Sequence, residues 1–440
     1  MKIEEHIKEM IEELGRNFTT LNYVYNDNID FVPGVTPIYY SGPYWTNDEI
    51  VAAVKALLTG KWLASGENVQ IFENKFARKI KDKYAVMVNS GSSANLVMIA
   101  AIKKYFNWSD GDEIIVSVVG FPTTISVIVQ NKLSPVFIDI EMNTLNFDLN
   151  TIEERITDKT RAIFVSPVLG NPPDFDRIIQ ICEKYDLKLI LDNCDSLGST
   201  WRGKFLNEYA VASSDSFYPA HTITTGEGGM VTSQTKDIIN IARSISWWGR
   251  DCHCVGSNNL LPCGTCGNRF DKWLDDYDGI LDHKYVFTNL GYNLKPLDMQ
   301  GAIGSVQVEK LDEICLKRKN SKKVLSDIFK KYIPDISIPE ELEQANTTWF
   351  GTPIICDSKK MKDELVAYLE DHKIQTRNYF AGNILIHPGY KHLGDYKNYP
   401  NANNVLDLVF FVGASPHYGL NIFNYVEEIL KDFKVSKVLE

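Results

Sequence analysis

Three short stretches of this chain place reactive side chains where chemistry can use them. In Val86–Asn95 (VMVNSGSSAN) an apolar run ends in a Gly/Ser turn that opens a helical pattern. Amides exposed at a helix N-terminus, with the Ser92 and Ser93 hydroxyls beside them, form a cradle for an anion such as phosphate. The same serines can instead act only as an N-cap of the helix. Leu189–Ser196 (LILDNCDS) is an apolar strand that ends in Asp192. A carboxylate there can keep a pyridinium nitrogen protonated, as pyridoxal-type cofactors require, or can cap the next turn. Asp215–Gly229 (DSFYPAHTITTGEGG) sets a lone His221 between Ser-Phe-Tyr and Thr-Gly-Glu-Gly-Gly. An imidazole can serve as a general base near neutral pH.

The cysteines form a fourth pattern. Cys182, Cys194, Cys315 and Cys356 are scattered, whereas Cys252, Cys254, Cys263 and Cys266 crowd into one polar stretch. Four thiolates can hold a [2Fe–2S] cluster, and four close cysteines can also form a tetrahedral zinc site. Buried free thiols explain a Cys-x-Cys pair in a polar loop less well. The remaining histidines show no metal-ligand spacing; His417, in Pro416–Gly419, could approach the site from the C-terminal region, although a structural role is simpler.

The elements that must position these groups alternate along the chain. Strands are expected at Tyr84–Val88, Glu113–Val118, Pro135–Ile140, Arg161–Val165 and Lys188–Asp192, with helices such as Ser93–Tyr105 and Asp174–Tyr185 between them. This alternation predicts an α/β fold with a mostly parallel central sheet covered by helices, and active sites in such sheets lie at the carboxyl ends of the strands. Trp247–Gly291 reads as loop, and a helix over about Pro296–Lys319 leads into a smaller α/β region. The chain therefore divides into an N-terminal helical segment, 1–60, packing on the small domain; a large cofactor-binding domain, 61–300, carrying the cysteine-rich loop 247–291; and a small C-terminal domain, 301–440. At 440 residues a large core needs no disulfide or metal to hold it. The net charge of −11 argues against sequence-independent nucleic-acid binding. Neither a signal peptide nor a run long and apolar enough for a membrane span is visible, so a cytoplasmic location without membrane attachment is expected, and structural disulfides are not.

With these residues in view, the chain is identified as resembling the sugar aminotransferase family of fold-type I pyridoxal phosphate enzymes. The resemblance rests on Asp215–Gly229 and extends through Gly120–Thr124 (GFPTT), Gly291–Leu294 (GYNL) and Thr376–Asn383 (TRNYFAGN). It implies an aspartate-aminotransferase-like fold. In that family the position of His221 is normally a lysine that anchors the cofactor as a Schiff base, which imidazole cannot form. The chain looks most like the family's histidine-bearing, iron–sulfur 3-dehydrases. That likeness implies pyridoxamine phosphate (PMP/PLP) as cofactor, with Asp192 on the ring nitrogen and Phe121 stacked on the ring. It puts Ser92, Ser93 and Ser216 near the phosphate and brings Asn293 across from a second subunit, which makes a homodimer the catalytic unit. His221 is the implied base, with Tyr218 and Asp195 beside the sugar. Cys194, Cys252, Cys254 and Cys266 are the implied [2Fe–2S] ligands: 57 residues lie between Cys194 and Cys252, and Cys266 precedes Gly-Asn-Arg-Phe. The eleven residues between Cys254 and Cys266 exceed the family spacing, which leaves Cys263 as a rival fourth ligand. The implied reaction removes the C3 hydroxyl of a nucleotide-linked 4-keto-6-deoxyhexose, the CDP-linked 4-keto-6-deoxyglucose, toward 3,6-dideoxyhexoses of lipopolysaccharide O-antigen. A flavin-dependent NAD(P)H reductase would be the electron donor. Two other readings stay open: a glutamate-using GDP-4-keto-6-deoxymannose 3-dehydratase without a cluster, and a PMP-binding sensor or scaffold without activity.

Overall fold

The computed structural model describes residues 2–17, 31–252, 270–271 and 274–438. The large sheet is built from β1 (Tyr84–Val88), β2 (Glu113–Ser117), β3 (Ser134–Ile138), β4 (Thr160–Val165), β5 (Lys188–Asp192), β8 (Ala212–Ser216) and β9 (Gly229–Ser233). Two short strands, β6 (Thr200–Trp201) and β7 (Lys204–Phe205), form a side hairpin. The order across the sheet is β1-β9-β8-β5-β4-β2-β3, and β9 alone is antiparallel to both neighbours. The mostly parallel sheet expected from the alternation is therefore present. Strands β1 to β5 match their expected ranges to within two residues at each end.

The two strands of the large sheet not expected from the sequence are β8 and β9. Ala212–Ser216 reads ASSDS, yet every residue in it is buried. Most of its polar atoms find internal partners: Ser213 with Thr232 at 2.8 Å, Ser214 with Asn95 at 2.5 Å, and Asp215 Oδ1 with Asn193 at 2.8 Å, whereas Asp215 Oδ2 is buried without one. Buried polar groups are tolerated when each finds such a partner, so the hydrophobic pattern misses this strand. The link from β8 to β9 carries no crossover helix, and without one β9 can return only antiparallel.

Helices cover both faces. One face packs against α4 (Gly91–Tyr105), α5 (Pro122–Gln130) and α7 (Lys236–Ser246), and the other buries Phe175, Ile178 and Ile181 of α6 (Phe175–Tyr185). At the N-terminal end, α1 (Ile3–Asn17) sets Ile7 and Ile11 on Val51 of α2 (Asn47–Thr59), and α3 (Glu67–Lys79) contributes Phe72 and Phe76 to a separate core. The backbone of Ile38 bonds to Lys373 and Gln375 of the small domain, at 2.8 and 3.0 Å, while α2 lies on the large-domain side against α8 (Asp298–Gln307).

The helix expected over Pro296–Lys319 is two helices. A 3₁₀ turn at Val308–Lys310 separates α8, which packs on α2 and α3, from α9 (Leu311–Tyr332). The two parts serve different partners: α9 begins in the large-domain core with Leu311 and Ile314 and ends in the small-domain core with Leu325, Ile328 and Phe329. The small domain is an antiparallel sheet of β10 (Ile336–Ser337), β12 (Gly351–Cys356), β14 (Val409–Gly413) and β13 (Thr376–Asn378), in that order. A further strand, β11 (Ala345–Asn346), joins the β6–β7 hairpin. The helices α10 (Lys359–Asp371), α11 (Pro400–Leu408) and α12 (Leu420–Val438) complete the small domain. Among the described residues, no helix is long and apolar enough to cross a membrane.

Candidate active site

Strand direction brings the candidate residues to one edge. β1, β2, β5 and β8 all end there, and each is followed by a segment named from the sequence: Ser90–Ser93 after β1, Phe121 after β2, Asp192–Asp195 at β5, and Ser216–His221 at β8. At the head of α4, Ser90 is the N-cap, its Oγ accepting from the Ser93 amide at 3.1 Å. The cap reading is therefore met by Ser90. Ser93 shares a 3.0 Å hydroxyl contact with Ser90, and Ser92 donates to Thr123 at 3.0 Å. Two glycines let the backbone segments meet. A Cβ on Gly91 would sit 2.4 Å from Ser216 Cβ and 3.0 Å from Cys194 Sγ. One on Gly229 would sit 2.3 Å from the Ser90 carbonyl oxygen.

Asp192 is buried at the end of β5. Its Oδ2 accepts from Asn95 Nδ2 at 2.8 Å and Thr124 Oγ1 at 2.7 Å, and its Oδ1 from the Cys194 amide at 3.3 Å. Neither Asn95 nor Thr124 was assigned a role from sequence, although both lie inside quoted motifs. Their amide and hydroxyl are aimed by α4 and α5 at the end of a buried strand, a signal visible only with the fold in hand.

His221 follows a turn in which its amide donates to the Tyr218 carbonyl at 3.0 Å. Its Nδ1 is buried without a hydrogen-bond partner and lies 3.7 Å from Asp195 Oδ1. Burial and the nearby Arg318 charge push the imidazole down to about 3, against a contact with the Cys194 backbone that acts the other way. Asp195 moves oppositely: burial and the Asp192 charge raise its carboxyl to about 7, although the Leu169 amide donates to it at 3.2 Å. The two groups thus sit together as a neutral imidazole and a carboxyl poised near neutrality. The Phe350 ring lies 5.4 Å from the imidazole and walls it on the small-domain side. Tyr218 is half-exposed, its ring 6.2 Å from His221. Arg318, from the middle of α9, was not foreseen: between Lys317 and Lys319 it reads as part of a solvated basic face, yet it is fully buried.

The Phe121 ring is half-exposed and meets Phe380 edge-on at 6.1 Å. Asn293 is exposed and accepts from Lys295. Cys194 is a free thiol whose ionisation is pushed well up by burial and by the carboxylates of Asp192, Asp215 and Asp195. Cys252 is free and partly exposed at the head of the cysteine-rich loop. Cys254, Cys263 and Cys266 lie outside the described residues, among which no group of three or more candidate metal ligands occurs. His417 places Nε2 2.9 Å from the Pro43 carbonyl oxygen, a structural contact.

Known proteins resemble the chain over most of its length. It is 38% identical over 414 residues to a dTDP-4-dehydro-2,6-dideoxy-D-glucose 3-dehydratase of Saccharopolyspora spinosa, covering 92% of this chain and 88% of that one. It is 35% identical over 415 residues to the lipopolysaccharide biosynthesis protein RfbH of Salmonella typhimurium, covering 92% and 93%. Among solved structures, an Escherichia coli GDP-4-keto-6-deoxy-D-mannose-3-dehydratase with bound hydrated PLP superimposes with a TM-score of 0.78 at 31% identity, covering 90% of this chain and 100% of that one. The profile of a sugar-modifying enzyme family matches residues 45–431, which include every candidate site residue named above. The chain belongs to the DegT/DnrJ/EryC1/StrS aminotransferase family, with the α/β architecture of fold-type I pyridoxal phosphate enzymes.

Proposed function

We propose that this chain is a PMP-dependent 3-dehydratase of a nucleotide-linked 4-keto-6-deoxyhexose, with the CDP-linked 4-keto-6-deoxyglucose as substrate. The observation that carries this reading is His221, which stands beside Asp195 in the turn where amino-transferring relatives need a lysine. An imidazole offers a base but no primary amine, which turns the scaffold from amino transfer toward dehydration.

The residues fit the cofactor. Asp192 is a buried carboxylate held by two side chains and one amide, with lone-pair capacity left for a ring N–H. The head of α4 offers amides and hydroxyls, and Gly91 leaves no room for a side chain between it and Ser216. Ser92, Ser93 and Ser216 would hold the phosphate, Phe121 the ring face, and Asn293 would come from a second copy of the chain. When bound, PMP supplies a primary amine that can condense with the sugar ketone and a protonated ring that can take up an electron pair. His221 accepts the proton at an imidazole nitrogen, and Tyr218 and Asp195 stand beside the sugar. The half-exposed apolar side chains Trp248, Tyr277, Phe287 and Tyr292, from the region of Asn293, suit a face covered in a homodimer.

A [2Fe–2S] cluster on Cys194, Cys252, Cys254 and Cys266, fed by a flavin-dependent NAD(P)H reductase, completes this reading; the cysteine pattern of the sequence supports it. A second reading, a GDP-4-keto-6-deoxymannose 3-dehydratase that uses glutamate and no cluster, draws on the solved relative of that name. Anaerobically purified protein separates them. Iron–sulfur absorption bands, with turnover of the CDP-sugar that requires a reductase, are expected. Colourless protein that turns over the GDP-sugar with glutamate would replace the first reading by the second. PMP binding without turnover of either sugar would leave a scaffold.

A further inference from the structure

Among the described residues Arg318 is the largest charged side chain that is fully buried, and no carboxylate pairs with it there. Burying a guanidinium without an ion partner is costly unless its donors are satisfied in a defined geometry. Here Nη2 donates to the Ala220 carbonyl at 2.8 Å, the His221 carbonyl at 3.0 Å and Ser41 Oγ at 3.2 Å. Nη1 donates to the Phe350 carbonyl at 3.2 Å, and Nε has no partner. Ser41 in turn donates to the same Ala220 carbonyl at 2.7 Å. The acceptors thus converge on His221 from two sides: its own peptide and the one before it, and the backbone of Phe350, whose ring faces the imidazole at 5.4 Å.

We propose that Arg318 is a positioning residue: from the centre of α9 it clamps the Ala220–His221 carbonyls and the Phe350 backbone, and so sets where the His221 imidazole stands. The proposal rests on the reading of His221 as the base of this site. Its location gives the clamp leverage, because α9 is anchored in the large-domain core at Leu311 and Ile314 and in the small-domain core at Leu325 and Phe329. The planar fork reaches acceptors in three chain segments at once, which a lysine, a single point donor on a flexible stem, cannot do.

The test uses Arg318→Lys, Arg318→Met and the milder Ser41→Ala, all in the full chain with PMP. Because a misplacement of ~1 Å can cost ~10²-fold in rate, Arg318→Lys is expected to lose roughly 10–100-fold in kcat, with KM for the sugar and PMP affinity within about twofold. Ser41→Ala, which keeps Arg318 but removes one donor to Ala220, is expected to lose severalfold. Hydrogen exchange of the cofactor-free protein gives a readout independent of turnover: amides of His221–Thr225 should exchange faster in each variant while those of β5 keep their protection. Unchanged exchange in that turn, or a kcat loss that merely tracks the unfolded fraction, would overturn the proposal. If Arg318→Met does not fold, the other two variants decide. His221→Asn is the separate control: full activity in that variant refutes the base reading and leaves the exchange result on the clamp standing.

Discussion

At the scale of single residues, the site is a set of buried polar groups whose neighbours decide what each can do. His221 and Asp195 are 3.7 Å apart and are driven in opposite directions by burial, the imidazole toward its neutral form and the carboxyl toward its protonated one. Neither could be read so from residue type, because desolvation disfavours whichever form carries charge. His221→Asn is expected to lower turnover by ~10²–10⁴, the usual worth of a positioned general base, while PMP still binds; steady-state kinetics and cofactor titration of the purified variant check both halves. The cysteines give a second residue-scale prediction. In the cluster proposed above Cys266 is the fourth ligand by its sequence context, and a loop of eleven residues can be closed at little more entropic cost than a shorter one. Iron content and the reduced-cluster paramagnetic signal should therefore collapse in Cys266→Ser and persist in Cys263→Ser; the reverse pattern would assign the ligand to Cys263.

At the scale of elements, the site depends on how closely strand ends and helix starts approach. The head of α4 is pressed between Ser216 at the end of β8 and the Ser90–Gly229 contact with β9. Gly91→Ala would force a Cβ to 2.4 Å from Ser216 Cβ, so α4 must tilt away from β8. The expected result is a loss of ~1–3 kcal/mol in stability, typical of overpacking, together with at least tenfold weaker PMP binding. Thermal unfolding with and without PMP measures both; retained PMP affinity would show that the α4 head does not form the phosphate cradle. The identification of α4 itself was available from its Ser-Gly-Ser-Ser start, but β8 was not, since a run of alanine, serines and an aspartate becomes a central strand only when Asn95, Asn193 and Thr232 satisfy it.

For the whole molecule, the relation between the two cores is set by α9 and by the segment Ile38–Tyr44, which crosses to the small domain. His417 pins that crossing through the Pro43 carbonyl, and burial holds its imidazole down at about 4. The sign is definite. The unfolded chain takes up this proton below about pH 6.5, whereas the folded chain resists until about pH 4. Stability is therefore lost as pH falls from 6.5 toward 4, by at most ~3 kcal/mol from this group. His417→Gln is expected to unfold with a shallower pH dependence across that window. Melting temperatures at pH 7.5 and 4.5 test it, and an unchanged difference between the two would remove His417 from the acid response.

The sequence by itself determined the α/β class, five of the seven strands of the large sheet, the strand-end location of Asp192 and the histidine in the turn after Asp215–Phe217. Each of these is a local property, a run of apolar residues or a motif of fixed spacing, and survives without knowledge of neighbours. Tertiary structure alone decided the rest. It revealed the buried polar strand β8, the break between α8 and α9, the grip of Asn95 and Thr124 on Asp192, and the placement of Arg318 behind His221. These depend on partners far apart in sequence, Asp192 lying 97 positions after Asn95 and Arg318 98 positions after Ala220. A polar or charged side chain in a linear pattern reads as solvated, and only the packed chain supplies the donors and acceptors that make its burial possible.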